Sequence, residues 1–75
     1  MKRQYPPTLM RELADRRTEL GMSQPALARR LGVSVGLISH WENGYVRPPI
    51  DRVIAYADAL GLRLTLVSVK ENVHA

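Results

Sequence analysis

The stretch S-Q-P-A-L-A-R-R-L-G-V-S-V-G-L-I-S-H-W-E-N-G, residues 23–44, most constrains how this chain can fold. Two serines, Ser23 and Ser34, stand where a helix N-cap is expected, and each precedes apolar residues at helical spacing. Two glycines, Gly32 and Gly44, stand where the corresponding helices would end. The stretch therefore predicts two short helices joined by a tight turn.

Two further segments have the same helical periodicity, so the sequence predicts a mainly α fold with four helices. The predicted helices span about residues 9–20, 24–31, 35–43 and 50–60, with Thr8 as the cap of the first and Gly61 at the end of the fourth. The side chains expected in the core are Leu9, Leu13, Leu20, Leu37, Ile38, Trp41, Ile50, Val53, Ile54, Ala57 and Leu60.

Residues 62–69, L-R-L-T-L-V-S-V, change from a helical period to strict alternation and predict one C-terminal β-strand. A lone strand leaves its backbone groups unpaired, and the simplest partner is the same strand of a second copy across a two-fold axis. The alternative is that this segment continues the fourth helix, but Gly61 and the alternation argue against it. The residues expected in this dimer contact are Leu62, Leu64, Leu66 and Val67.

Composition limits the classes of function that this 75-residue chain can have. It contains no cysteine, which excludes disulfides and thiolate metal sites, and no metal or cofactor is predicted. No apolar run is long enough to span a membrane and no signal peptide is evident, so we expect a cytoplasmic protein with no membrane partner. The net charge of +4 favours an anionic partner, nucleic acid first. The predicted organisation is an extended basic arm (1–7), a helical domain (8–61), a dimerisation strand (62–69) and a flexible tail (70–75).

Several residues within 9–60 resemble the phage-repressor or Xre-type helix-turn-helix family: Gln24, Ala28, Gly32, Ile38 and Trp41, then W-E-N-G followed by a proline. The resemblance implies a repressor-like helical bundle that binds double-stranded operator DNA, usually as a dimer, with its second motif helix in the major groove. The C-terminal strand is similar to one through which some HipB-type antitoxins dimerise.

The resemblance also implies which residues meet DNA. The residues expected at base edges are Ser34, Val35, Gly36, Ser39, His40 and Asn43. Gln24 would bond a phosphate and support the recognition helix, while Arg47 and one of Arg29 and Arg30 would bind phosphates. For His40 and each arginine, the alternative is an ordinary solvent-exposed position, and for Gln24 it is a residue that simply fills the second place of a capped helix. Tyr45 would either stack along the sugar–phosphate edge or cap the core.

Arg17 and Glu42 have the types and spacing of a structural ion pair that relatives form between the first helix and the recognition helix. The function implied by the whole sequence is a sequence-specific transcriptional repressor, acting as a nucleoid-associated homodimer on an inverted-repeat operator. The alternative is an antitoxin that binds a toxin protein and autoregulates its operon. An enzyme is not expected, because the sequence has no nucleophile–base pair, phosphate loop or metal cluster.

Overall fold

A computed structural model describes residues 7–69, and this part of the chain forms four α-helices. Helix α1 spans Pro7–Glu19, α2 spans Gln24–Leu31, α3 spans Val35–Asn43 and α4 spans Ile50–Ala59. The mainly α, four-helix prediction is confirmed. Helix α1 begins at Pro7, so Thr8 lies inside the helix and does not precede it as predicted. Apart from Pro7, the predicted arm lies outside the described residues, as does the predicted tail.

Both motif helices begin at the predicted serine. The Oγ of Ser23 accepts a hydrogen bond from the Ala26 N–H at 3.1 Å, and the Oγ of Ser34 accepts one from the Leu37 N–H, also at 3.1 Å. Each bond satisfies one of the backbone donors that a helix leaves unpaired at its N-terminus. These caps are local, which is why the sequence alone located both helix starts.

Both motif helices also end in the same kind of turn. Gly32 and Gly44 adopt left-handed φ angles of 70° and 82°, which a residue without a Cβ adopts at little cost. The chain then folds back, so that the Val33 N–H donates to the Ala28 carbonyl at 3.0 Å. These turns fix the short connection between α2 and α3 and the exit of the chain from α3.

The core lies where α2 packs against α3 and α4 and where α1 meets α3. Its buried residues are Met10, Leu13, Leu27, Ala28, Ile38, Trp41, Val53, Tyr56, Ala57 and Leu60. Four predicted core positions are wrong: Leu9, Leu20, Ile50 and Ile54 are exposed. Leu37 is only half-buried against this cluster.

Overlapping helical stripes explain the error in α4. Ile50 begins one stripe at spacings of three and four residues, while Val53 begins another that includes Tyr56 and Leu60. Only the second stripe faces the core, where Tyr56 is fully buried and Ile50 remains 67% exposed. In α1, similarly, Met10 replaces Leu9 in the buried stripe.

Residues 62–69 neither continue α4 nor form a strand within the described chain. Leu62 and Leu64 are half-buried against the core, whereas Leu66 is 98% exposed and Val67 is also exposed. The described residues offer no second strand with which this segment could pair, so the C-terminal strand is not confirmed and its pairing between two copies stays a prediction. Among the described residues, no helix is long and apolar enough to cross a membrane.

Candidate nucleic-acid interface

The carboxylate of Glu42, on α3, is bonded to a side chain from each of the other three helices. Arg17 of α1 donates to it twice, from Nε to Oε2 at 2.8 Å and from Nη2 to Oε1 at 2.9 Å. Gln24 of α2 donates from Nε2 to Oε1 at 3.0 Å, and the Tyr56 hydroxyl of α4 donates to Oε2. The structure thus brings together the two residues of the expected ion pair and adds Gln24 and Tyr56, forming a group that we call the Glu42 cluster.

The Glu42 cluster is largely shielded from water, with the side chains of Arg17 and Glu42 exposed by 13% and 8%. Burial acts to raise the pKa of Glu42, but the hydrogen bonds from Arg17, Tyr56 and Gln24 outweigh it, so this pKa lies below its ordinary value. The hydrogen bond to Glu42 raises the pKa of Arg17, and burial followed by the bond to Glu42 raises the pKa of Tyr56. The cluster therefore holds a carboxylate, a guanidinium and a neutral phenol.

Two arginines also tie helices to the backbone of neighbouring segments. Arg17 donates from Nη1 to the Met22 carbonyl at 2.8 Å, in the turn before α2. Arg52 of α4 donates from Nη1 to the Leu31 carbonyl at 3.2 Å, at the last residue of α2. Together with the Glu42 cluster, these bonds fix the orientation of α2 and α3 relative to the rest of the bundle.

The residues expected at base edges lie on α3 and at its cap, and all are exposed except Ser39, which is half-buried: Ser34, Val35, Gly36, Ser39, His40 and Asn43. Asn43 donates from Nδ2 to the Ser39 Oγ at 3.3 Å, so these two side chains are linked along the helix. A Cβ added at Gly36 would meet nothing closer than the Ser34 Oγ at 4.0 Å. The packing of this protein therefore does not require a glycine at that position.

The expected phosphate-binding residues have different surroundings. Arg29, Arg30 and Arg47 are exposed, so exposure does not choose between the two α2 arginines. Gln24 is half-buried at the first position of α2 and uses one amide N–H on Glu42. Its amide retains a second N–H and an oxygen for another partner, so the expected support of α3 and the expected phosphate bond are compatible.

Two side-chain contacts of α3, one buried and one exposed, were not foreseen from the sequence. Tyr56 completes the Glu42 cluster, and its position in the buried stripe of α4 was the available signal. Tyr45, for which two roles were open, is 76% exposed and does not cap the core. Its ring instead lies 5.8 Å from that of His40, centroid to centroid, at an interplanar angle of 77°.

The short capped pair α2–α3, held by the Glu42 cluster and leaving one side of α3 in solvent, defines a helix-turn-helix protein. The helix-turn-helix family model HTH_3 matches residues 13–67, and the chain belongs to this family. The resemblance to Xre-type proteins is thereby confirmed.

Solved structures of HipB and of another protein share this fold. HipB in an O1-O2 complex is 25% identical with a TM-score of 0.74, over 91% of this chain and 100% of that chain. A HipB variant in complex with an O2 20mer is 27% identical with a TM-score of 0.75, over 93% and 99%. An MDT protein is 25% identical with a TM-score of 0.76, over 93% and 100%. No curated protein sequence matches the chain.

Proposed function

We propose that this chain is a transcriptional repressor that binds an inverted-repeat DNA operator as a homodimer, without enzymatic activity of its own. The observation that carries the proposal is the exposed side of α3, which begins at the Ser34 cap and is not used by the core. An α-helix fits the major groove, and this type of motif presents the N-terminal half of its second helix to base edges. Its site of action would be the nucleoid, in the cytoplasm.

Direct reading of bases rests on a few side chains in this proposal. Val35 packs on a thymine methyl, His40 donates to guanine N7 or O6, and Asn43 reaches an adenine or a phosphate. Each good contact discriminates between bases by about 1–3 kcal/mol. Gly36 contributes no contact of its own, but its missing side chain lets the helix approach the groove closely.

Phosphate contacts position the protein on the duplex. Gln24 and Arg47 supply two of them, and Arg29 or Arg30 supplies another. Since α3 carries no arginine, lysine or glutamine and only Asn43 among the usual bidentate partners of guanine and adenine, we expect DNA shape and phosphate contacts to contribute a large share of the affinity. A second copy would double these contacts and fix their spacing.

An exposed apolar groove supports the homodimer. It has a volume of about 440 Å³ and is lined by Leu9, Ile50, Ile54, Leu64, Thr65 and Leu66. Leu66, at one edge of this lining, is 98% exposed, and a two-fold interface requires each copy to carry both the receiving and the inserted surface. Pairing of residues 62–69 between copies would cover the groove and satisfy the open backbone groups.

Sedimentation of the full chain tests the dimer. The proposal expects twice the mass of one chain, and Leu66→Asp or Ile54→Asp should shift the protein to the monomer, because each places a charge in the apolar contact. Leu20→Asp is the matched control, since Leu20 is exposed outside the groove. A monomeric wild-type chain would contradict the homodimer.

Selection from random double-stranded DNA tests operator recognition. The full chain should enrich an inverted repeat whose half-sites lie about 34 Å apart, one turn of the duplex. Binding without enrichment of any sequence would exclude a sequence-specific repressor. Enrichment of a single half-site would contradict binding as a two-fold dimer.

An antitoxin is the second candidate, and the observation that favours it is the likeness to HipB over almost the whole of both chains. In this role the protein would bind a toxin protein and repress its own operon. Expression of the product of the adjacent gene, alone and together with this chain, tests the idea. An antitoxin should relieve growth inhibition by that product, whereas a harmless product, or inhibition that persists, would count against it.

A further inference from the structure

Tyr45 and His40 form an aromatic pair at the C-terminal end of α3. Their ring centroids are 5.8 Å apart and the planes are inclined by 77°, an edge-to-face arrangement that aromatic rings favour. Both residues are exposed, and Tyr45 is 76% exposed, so the pair lies outside the core. Packing in the interior therefore does not explain why these two rings meet.

The backbone brings the two rings together. With Gly44 at a φ of 82°, the chain reverses, and the Tyr45 N–H donates to the His40 carbonyl at 2.9 Å. The Val46 N–H donates to the same carbonyl at 3.2 Å. Helix ends of this kind commonly place an apolar contact between the two residues that occupy these positions. Here the contact joins a tyrosine to the one residue of α3 that carries an imidazole.

We propose that Tyr45 is a positioning residue for base recognition, which holds the His40 imidazole in the orientation that meets a base edge. The inference rests on the proposed DNA-binding function and gives Tyr45 a role that differs from the two left open by the sequence. An exposed histidine on a helix otherwise samples several rotamers, and ordering it costs free energy on binding. A ring that is packed edge-to-face against the imidazole limits that choice before DNA arrives.

A purely structural role for the pair makes a different prediction. If the rings only stabilise the end of α3, loss of Tyr45 lowers stability and weakens binding to every DNA sequence alike. If Tyr45 orients His40, its loss changes the preference between bases at one position of each half-site. Such a preference is the ratio of one variant's affinities for two DNA sequences. A reduced fraction of folded protein lowers both affinities equally and therefore cancels from the ratio.

Selection from random double-stranded DNA with the wild-type chain and four variants tests the inference: His40→Ala, Tyr45→Ala, Tyr45→Phe and the double alanine variant. We expect His40→Ala to lose a preference on the order of fivefold or more at one base pair per half-site. Tyr45→Ala should reduce the preference at that same base pair, and Tyr45→Phe should keep it because the ring remains. The double variant should lose no more preference than His40→Ala.

The inference is overturned if His40→Ala changes no preference, if Tyr45→Ala keeps the wild-type preference, or if Tyr45→Ala weakens binding equally for every base. It is also overturned if Tyr45→Phe loses the preference as fully as Tyr45→Ala. A wild-type chain that selects no sequence at all would instead overturn the proposed function, on which this inference rests. The two failures are therefore distinguishable.

Discussion

Glu42 is the residue on which the arrangement of helices most depends. A carboxylate removed from water costs several kcal/mol, and this cost is offset only when hydrogen bonds and an opposite charge surround it. Arg17 supplies two of these bonds and the charge, while Gln24 and Tyr56 supply one bond each. Removing Arg17, which supplies two of the bonds and the only opposite charge in the cluster, therefore leaves a shielded carboxylate under-compensated, which costs more than the bonds themselves contribute.

Arg17→Ala should lower the free energy of unfolding by about 3–5 kcal/mol, because it leaves the Glu42 carboxylate buried without its charged partner. Denaturant unfolding measures the change. Arg11→Ala is the matched control: Arg11 is 70% exposed, and its 3.9 Å ion pair with Asp15 should contribute only about 0–1 kcal/mol. Equal unfolding midpoints for the two variants would show that the Glu42 cluster does not hold the bundle together.

The Glu42 carboxylate should also make the protein sensitive to acid. Its pKa is lower in the folded protein than the ordinary value of 4.5, so its contribution to stability is present above that pH. The contribution is lost as the pH falls through the lower, folded-state value. Denaturant midpoints measured across this range should fall steeply for the wild-type chain and less for Glu42→Gln, which has no charge to lose. Parallel curves would contradict the assignment.

At the scale of single helices, the sequence correctly predicted the features that depend only on residues close together in the chain. Ser34 caps the start of α3 and Gly44 caps its end, each through contacts within a few residues. The types and spacing of these two residues were therefore sufficient to predict where the helix begins and ends. Which side of α4 is buried depends on where α2 packs. The apolar periodicity of α4 was compatible with a buried side that contains Ile50 and also with one that contains Tyr56. The Tyr56 bond to Glu42 spans 14 residues and arises only when α3 and α4 meet.

The candidate site was predictable to a similar degree. The resemblance to a family indicated which residues of α3 would meet DNA, and the structure leaves that side of the helix in solvent. The resemblance did not indicate that Asn43 donates a hydrogen bond to Ser39 or that Tyr45 packs on His40. These contacts depend on side-chain rotamers and on the reversal of the chain at Gly44.

Gly36→Ala should separate the stability of α3 from its proposed function. Alanine is favoured over glycine inside a helix by about 1 kcal/mol, and the added Cβ meets only the Ser34 Oγ, at an unstrained 4.0 Å. The variant should therefore unfold at a higher temperature than the wild-type chain. It should also bind DNA more weakly if α3 lies close to the groove at this position. Thermal unfolding and a DNA titration measure the two effects, and unchanged DNA binding would show that no close approach occurs there.

For the whole molecule, the single chain leaves two requirements unmet. Its apolar groove, which Leu66 helps to line, remains open, and the alternating residues 62–69 form no strand pairing within the described chain. The proposed homodimer would meet both requirements, and a two-fold dimer of this motif would let two copies of α3 bind two half-sites together. The net charge of +4 on each chain would favour binding of the proposed dimer to the negatively charged phosphate backbone.

Binding of double-stranded DNA by the wild-type chain and by Val35→Glu tests the central claim most directly. Val35 is exposed at the first position of α3, where a glutamate suits the helix N-terminus but would bring a negative charge into the groove of the polyanionic DNA. Arg11→Ala is the control with the same change in net charge.

If the wild-type chain binds as the proposed dimer and neutralises about 6–10 phosphates, its affinity should fall roughly 10³–10⁵-fold between about 50 and 200 mM salt. Val35→Glu should remain folded and bind at least about tenfold more weakly, a loss of about 1.4 kcal/mol, while Arg11→Ala should bind almost as the wild-type chain does. Absence of binding by the wild-type chain at low salt, or equal binding by Val35→Glu, would contradict the claim that this chain binds DNA through α3.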